Sequence, residues 1–276
     1  MASDESNLLI TLENNEQQFF KKRVFVNGIG RRVIDFIGTL EAVIFSPSDI
    51  NMVTGAPALR RWHLDLALAQ SDKDYKKHLT SYGEFLTARN KVLKRIKEGL
   101  SKTDELDYWT EGLASNGIII MQKRESLFSF LNNLKTDLGN FSFSYNQSGI
   151  SLEKLKQYQG REVAAASTLI GPHRDDFSLN LRDQNLAHFG SRGEQRVATL
   201  AFKLGQLEYM AKTSALRPVL LLDDVFSELD HFHRAAVVAI VKNQQTIIAT
   251  VELENIPPEF LSAARLIKVE DGKFVE

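Results

Sequence analysis

Cysteine is absent from the 276 residues, which excludes disulfides, thiolate-bound metals and a cysteine nucleophile and fits a reducing, cytoplasmic setting. Long apolar runs are absent as well. With no stretch near the ~20 residues of a membrane helix and no apolar N-terminal segment, neither a membrane span nor a secretion signal is expected. Charge of one sign is missing: 34 Lys and Arg face 35 Asp and Glu, a net charge of −1, so any nucleic-acid contact has to come from a local patch. The six histidines lack a metal-ligand spacing, and His231 and His233, flanking Phe232, read as structural or solvent-facing. No repeat or low-complexity segment stands out. The string G-x-x-x-x-G-K-[S/T], the glycine-rich loop that cradles phosphates, occurs nowhere. The stretch Gly28-Ile29-Gly30-Arg31-Arg32 is no substitute, because it lacks Lys and Ser/Thr; a turn between strands over Arg23–Val26 and Val33–Phe36 accounts for its glycines.

What is present is concentrated between residues 190 and 230. Gly190-Ser191-Arg192-Gly193-Glu194-Gln195-Arg196 opens a helix, where a hydroxyl, a closely approachable backbone amide and the positive end of the helix dipole favour a terminal phosphate. Val197, Leu200, Ala201, Leu204 and Leu207 then recur at helical spacing. After Pro218, the run Val219 to Leu222 reads as a strand buried on both faces. Its carboxyl end carries Asp223 and Asp224, followed by Ser227-Glu228-Leu229-Asp230. Asp223 is placed to hold Mg²⁺, usually through water, and Asp224 to polarise an attacking water. Taken singly, a Ser-x-Gly is ordinary capping chemistry and paired Asp a solvated turn. The order of helix, strand, Asp-Asp and Ser-Glu-Leu-Asp points instead to an α/β fold: an ATP-binding-cassette P-loop ATPase head, incomplete for want of its phosphate loop. That head would be a mixed sheet with helices and an inserted antiparallel helical hairpin.

The 43% hydrophobic content suffices for a sizeable core, divided into two lobes. Residues 8–45 alternate as short strands, the antiparallel part of the head. From Pro57 to Gly139 the period is helical, with Tyr75, Leu79, Tyr82, Leu86, Arg89, Leu93 and Ile96 forming a seam. A second helix carries Leu106, Trp109, Leu113, Ile120, Leu127, Leu131, Leu134 and Leu138 after a turn at Gly99 to Thr103. Strand patterns return at Phe141/Phe143/Tyr145, at Ser167–Ile170 leading to Gly171–Asp176, and at Phe177/Leu179/Leu181. A helix over Asp230–Asn243, a strand over Thr246–Thr250 and a hairpin at Asp271-Gly272 complete the chain. The expected divisions are 1–56 and 140–276 for the head and 57–139 for the helical arm. Arg89 in the seam reads as paired or snorkelling, with Asn90 fixing helix register, and Arg174 with Asp176 as either an ion pair or part of a site. Between Arg60 and Lys97, ten basic residues against four acids give a local excess of +6. This is either a phosphate-contacting surface, with Arg60, Arg61, Lys91, Lys94, Arg95 and Lys97 as candidates, or a solvated helix face.

The strings Phe45–Asp65 (FSPSDINMVTGAPALRRWHLD), Tyr82–Lys94 (YGEFLTARNKVLK), Gly171–Asp176 (GPHRDD), Phe189–Glu208 and Leu220–Asp230 (LLLDDVFSELD) resemble the RecF family of DNA replication and repair proteins over nearly the whole chain. The resemblance implies a DNA-stimulated ATPase using ATP and Mg²⁺, with Asp223 and Asp224 catalytic. Ser191, Gly193, Glu194, Gln195 and Asp230 would contact nucleotide, and Thr250 would stand at a phosphate-sensing switch position. It further implies an ATP-gated clamp at gapped or single-strand/double-strand DNA junctions, helping to load recombinase with RecO- and RecR-like partners in repair, recombination and the SOS response. In cassette ATPases the signature Ser and Gly meet a phosphate held by the other subunit, so a homodimer or a Walker A-bearing partner chain is expected. Family members begin with a strand and that loop, whereas this chain opens MASDESNLLITLEN. Three readings stay open: part of a longer RecF-like ATPase, a split subunit supplying its motifs in trans, or a non-catalytic DNA-binding scaffold.

Overall fold

The computed structural model describes residues 6–14, 20–214, 217–241 and 244–275. Strands β1 (Leu8–Asn14), β2 (Phe20–Val26) and β3 (Ile29–Arg31) form an antiparallel sheet. Asn27 and Gly28, with φ of 52° and 75°, make the two-residue turn between β2 and β3 that matches strand twist. A helical turn, α1 (Val33–Phe36), follows where a strand was expected. Strand β4 (Ala42–Phe45) and the turn α2 (Asn51–Thr54) precede the long helices α3 (Pro57–Ser71), α4 (Lys73–Lys97) and α5 (Asp107–Asn133). Asp72 caps α4 by accepting from the Tyr75 amide at 2.9 Å, and Lys94, Arg95 and Lys97 in its last turn complement the helix dipole.

Strand β5 (Phe141–Asn146) is followed by α6 (Leu152–Ala165), a helix the sequence patterns left unassigned, capped by Ser151 and ended by Ala166 at φ 52°. Residues 167–170 form no strand. Their expected strand character reflects their burial: Ile170 and Thr168 are enclosed. Gly171–Asp176 leads into the start of β6 (Asp176–Leu181) and not out of a strand end. Then come β7 (Gln184–Asn185), the turn α7 (Leu186–Phe189), α8 (Arg192–Thr213), β8 (Val219–Asp223), α9 (His231–Val241), β9 (Thr246–Ala249), the turn α10 (Pro258–Leu261), and the hairpin β10 (Lys268–Glu270) and β11 (Lys273–Val275). The expected end of α9 at Asn243 lies outside the described residues.

The chain forms two compact units: Met1–Glu41 with Leu64–Arg124 and Gln147–Arg174, and Ala42–His63 with Glu125–Asn146 and Asp175–Glu276. Their boundaries differ from the sequence-based 56/57 and 139/140. In the first unit α4 and α5 run antiparallel, with His78 bonded to Asn116 and Arg89 to Thr110. Arg89 is enclosed and fully used: Nε donates to Thr110 at 3.0 Å, Nη1 to Thr168 at 2.8 Å and Nη2 to Glu162 at 2.7 Å. Asn90 accepts from the Thr168 amide and hydroxyl, both at 2.8 Å. Arg124 is likewise enclosed, bound to Asp65, Tyr75 and the Pro172 carbonyl.

In the second unit β8 lies between β4 and β9, parallel to both. Leu40–Phe45 therefore does not extend the antiparallel strands, as its alternation had suggested: β4 pairs with β8, 174 or more positions away in sequence, because Val43 and Phe45 find buried partners there. A second sheet, β5-β6-β7, is antiparallel. Helix α8 is buried from Val197 to Leu207, with Phe202 stacked on Phe177 at 5.0 Å and edge-on to Phe143. A helix enclosed on all sides is a core element and not a surface one.

Removing Arg89 leaves the buried Glu162 carboxylate without a counter-charge, held, among the described residues, only by the Leu169 amide. Arg89→Leu is expected to cost about 3–5 kcal/mol in urea denaturation, and the double variant Arg89→Leu/Glu162→Leu to recover a large part of it.

Candidate functional site

The register Phe45↔Leu222 and Asp223↔Ala249 brings Ser46, Asp223 and Ala249-Thr250 level at the carboxyl edge of the parallel strands, where ligands bind in open α/β sheets. Asp223 is exposed there. Asp224 sits at φ 49°, its amide donating to the Ala249 carbonyl at 2.9 Å and its carbonyl accepting from the Ser227 hydroxyl at 2.8 Å. The chain thus folds back at once, keeping both carboxylates at the strand end. The Thr250 hydroxyl donates to the Glu252 carbonyl at 3.2 Å. Asp230 is the cap of α9: it accepts from the His233 amide at 2.9 Å and meets the His233 ring at 2.8 Å, and these bonds, the amide first, hold its carboxyl below the usual range.

Ser191 caps α8 in a reciprocal capping box, with Glu194 Oε2 accepting from the Ser191 amide and hydroxyl, each at 2.8 Å. The Ser191 amide bond is the first cause of the lowered Glu194 carboxyl pKa. Gly193 is exposed, and a Cβ built on it meets nothing within 4 Å, so a ligand could approach its backbone. Gln195 does not join this surface. It is buried and donates to the Leu186 carbonyl at 2.8 Å and the Gly190 carbonyl at 3.3 Å, fixing the loop before the helix.

A buried cluster ties the turn after β4 to α8. Asp49, in the 3-10 turn Pro47–Ile50 after β4, accepts from the Ser46 amide at 2.7 Å and lies 3.1 Å from Lys203 Nζ on α8. Both side chains are about 5% exposed. His63 completes it, with Nδ1 3.3 Å from Lys203 and Nε2 3.7 Å from Asp49. Ser191 stands twelve residues before Lys203, roughly 18 Å along the helix at ~1.5 Å per residue, so the tie to Asp49 is made well along α8 from its exposed cap. Sequence reasoning missed this cluster. Its signals were a Ser-x-x-Asp box directly after a strand and Lys203 as the one charged residue between Val197 and Leu207.

The candidate nucleic-acid contacts divide. Arg60 forks onto Asp176 at 2.6 and 2.9 Å and donates to the Gly55 carbonyl, while Arg61 donates to the Asp175 carbonyl. Both face protein groups, and the Arg60 charge is paired with a carboxylate; the Arg174–Asp176 pairing considered from sequence gives way to Arg60–Asp176. On the outer face of α4, Lys91, Lys94, Arg95 and Lys97 are exposed, Lys94 4.0 Å from Glu98 and Arg95 3.8 Å from Glu105.

Among the described residues no group of three or more His, Asp or Glu could hold a metal by itself. One exposed carboxylate beside a half-buried second suits Mg²⁺, which keeps waters and shares itself with phosphate oxygens.

The chain is 37% identical to the DNA replication and repair protein RecF of Herpetosiphon aurantiacus, over 91% of this chain and 70% of that protein. It is 34% identical to that of Moorella thermoacetica over 96% and 74%. The chain belongs to the RecF family. A solved structure of the recombination mediator protein RecF with ATPrS in the RecFOR pathway superposes with a TM-score of 0.76 at 26% identity, covering 99% of this chain and 81% of that one. The corresponding RecF–ATP structure gives 0.76 at 27%. No family model matches.

Burial, then the Lys203 ammonium, push the His63 pKa down to about 4 against the pull of Asp49. Its ordinary value is about 6.5, so between those values the unfolded chain takes up a proton that the folded chain refuses. Stability is complete above about pH 6.5 and falls on the order of 3 kcal/mol as the pH drops through 4. His63→Gln is expected to flatten that acid limb, read as the change in urea midpoint between pH 7 and pH 4.5.

Proposed function

We propose that the chain acts as a RecF-like DNA repair protein that associates with gapped or single-strand/double-strand junction DNA under control of ATP and Mg²⁺, and supports recombinase loading with RecR- and RecO-like partners. One observation carries this reading: Asp223 and Asp224 stand at the parallel strand ends, while Ser191 and Gly193 lie on the exposed cap of α8, roughly 18 Å of helix before the Lys203 tie. In this reading two bodies close head to tail, each offering its cap to the strand ends of the other, and nucleotide shared between them stabilises the closed form. Asp223 would take the Mg²⁺ and Asp224 the attacking water, with the metal neutralising charge that develops on the transferred phosphate. Ser191 and Gly193 would act from the opposite body.

The solved RecF structures, with ATP or ATPrS and in the RecFOR pathway, support ATP as the nucleotide and RecO and RecR as the partners. No base-reading element is present in the sequence, and DNA contact through α4 would be electrostatic and structure-directed.

Charge reversal at Lys91, Lys94 and Lys97 together tests the DNA reading. Affinity for gapped DNA is expected to fall by about tenfold or more, and the slope of log K against log salt to flatten by roughly 0.9 for each phosphate no longer neutralised. Unchanged affinity and slope in fluorescence anisotropy would remove α4 from the interface.

A further inference from the structure

Two stripes run the length of α4, each repeating by alternating steps of three and four residues. The inner one carries the enclosed Tyr75, Tyr82, Arg89 and Leu93 and fixes the helix in its unit. The outer one runs Lys73, Lys77, Thr80, Glu84, Thr87, Lys91, Lys94, all exposed except the half-buried Thr80. Residues so spaced lie on one line along a helix. The charges on that line are mirrored about Glu84: two cations, a hydroxyl, one carboxylate, a second hydroxyl, two cations. Among the described residues, Lys94 alone of the four lysines has a carboxylate within 4.0 Å, that of Glu98. Lys76, adjacent in sequence but off the line, is used internally and donates to the Ile37 carbonyl at 2.7 Å. Between the lysine pairs the surface sinks into a recess of about 490 Å³ lined by Thr80, Gly83, Glu84, Thr87, Ala88 and Lys91. Its floor is open at Gly83, where an added Cβ meets nothing within 4 Å.

We propose that this stripe seats double-stranded DNA across one groove, each lysine pair on the phosphate row of a different strand and the Glu84 recess over the groove between them. The assignment rests on the DNA half of the function proposed above and names the part of a junction that α4 takes. At ~1.5 Å per residue, Lys77 and Lys91 stand roughly 21 Å apart along the helix, and Lys73 and Lys94 roughly 32 Å. The major groove is about 12 Å wide, so lysine side chains leaning inward reach the phosphates on both its edges. A single strand laid along the same line presents phosphates without interruption, and one of them would meet the Glu84 carboxylate. A groove avoids that repulsion, because its phosphates stand at the edges and its floor is made of base edges and water. Lysine is a hydrated point charge that neutralises phosphate without reading bases, so the seat is indifferent to sequence.

The test uses the whole chain and two dye-labelled probes, a blunt duplex and one of its strands, in fluorescence anisotropy over a salt series. Lys73→Glu/Lys77→Glu and Lys91→Glu/Lys94→Glu are each expected to lower duplex affinity by about tenfold or more, and to flatten its salt slope by roughly 0.9 for each of two phosphates. Glu84→Lys, which fills the gap between the pairs, should raise single-strand affinity by about fivefold or more and duplex affinity by less than about twofold. Lys154→Glu/Lys156→Glu makes the same charge change on α6, off the line, and should lower either affinity by less than about twofold. Circular dichroism and melting of the variants should match the parent, and Lys73→Gln/Lys77→Gln replaces the first pair if its reversal unfolds the chain. Silence of the Lys73/Lys77 pair beside a loss at Lys91/Lys94 would overturn the groove-spanning seat and leave the DNA reading standing; silence of both pairs would overturn both. A Glu84→Lys gain as large on duplex as on single strand, or a loss from α6 equal to that from the stripe, would also overturn the seat.

Discussion

The parallel pairing of β8 with β4 and β9 is the constraint on which the site depends. Leu220 and Leu222 are buried on one face, and a slip of one residue would turn them outward and carry Asp223 to the wrong side. Register therefore decides chemistry. With Phe45 beside Leu222 and Asp223 beside Ala249, the polar residues that follow each strand emerge level with one another, although they come from three distant parts of the sequence. The positive φ of Asp224 then reverses the chain before it leaves the edge. A non-glycine residue in that conformation is uncommon, and it persists here with the Asp224 amide bonded to Ala249 of the neighbouring strand.

A second tie joins this edge to α8. Asp49 and Lys203 are a buried ion pair, and such pairs add little net stability compared with apolar packing, because desolvation offsets attraction. Their value is positional. Asp49 already holds the Ser46 amide, so Lys203 locks the turn after β4 to one rotation and one height along the helix. Burial lowers the Lys203 pKa, and Asp49 opposes that shift. Any displacement of the turn by a ligand at the strand ends has to move α8 or break this contact, which gives the strand ends and the exposed cap at Ser191 a mechanical connection within one unit.

How much of this was legible depended on whether the signal was local. The cap at Ser191, the helix after it, the strand from Val219 and the acids at its end could all be read, because each is written in a few consecutive residues. The two-residue turn at Asp271-Gly272 was legible for the same reason, whereas near Gly28 the turn was read as running to Val33 and the short strand Ile29–Arg31 inside it was missed. The parallel partner of β8 was not, since the short apolar run Ala42–Phe45 was grouped with the strands before it and only a long-range contact decides its partner. Val33–Phe36 has β-branched character, yet the Arg32–Asp35 pair across one helical turn accompanies a helix there. Arg60 and Arg61 show the limit for charge: a count of basic residues cannot tell a solvent-facing guanidinium from one forked onto Asp176. Gln195 shows it for motifs, because a residue in the signature string serves the loop's own backbone.

The separation between the strand-end acids and the α8 cap changes what nucleotide affinity would mean under the proposed function. If both groups faced one pocket, the single chain would bind and respond alone. With the exposed cap twelve helical residues from the Lys203 tie, a site completed by the cap of another body would be a property of an assembly. Its occupancy then depends on protein concentration as well as ATP, in the way that binding to an associated state always does. Charge on α4 adds a third dependence, since a DNA surface that gathers chains raises their local concentration without changing any contact between them. Nucleotide, partner and DNA would thus be coupled through the assembly itself, with no need for DNA to alter the chemistry at the strand ends.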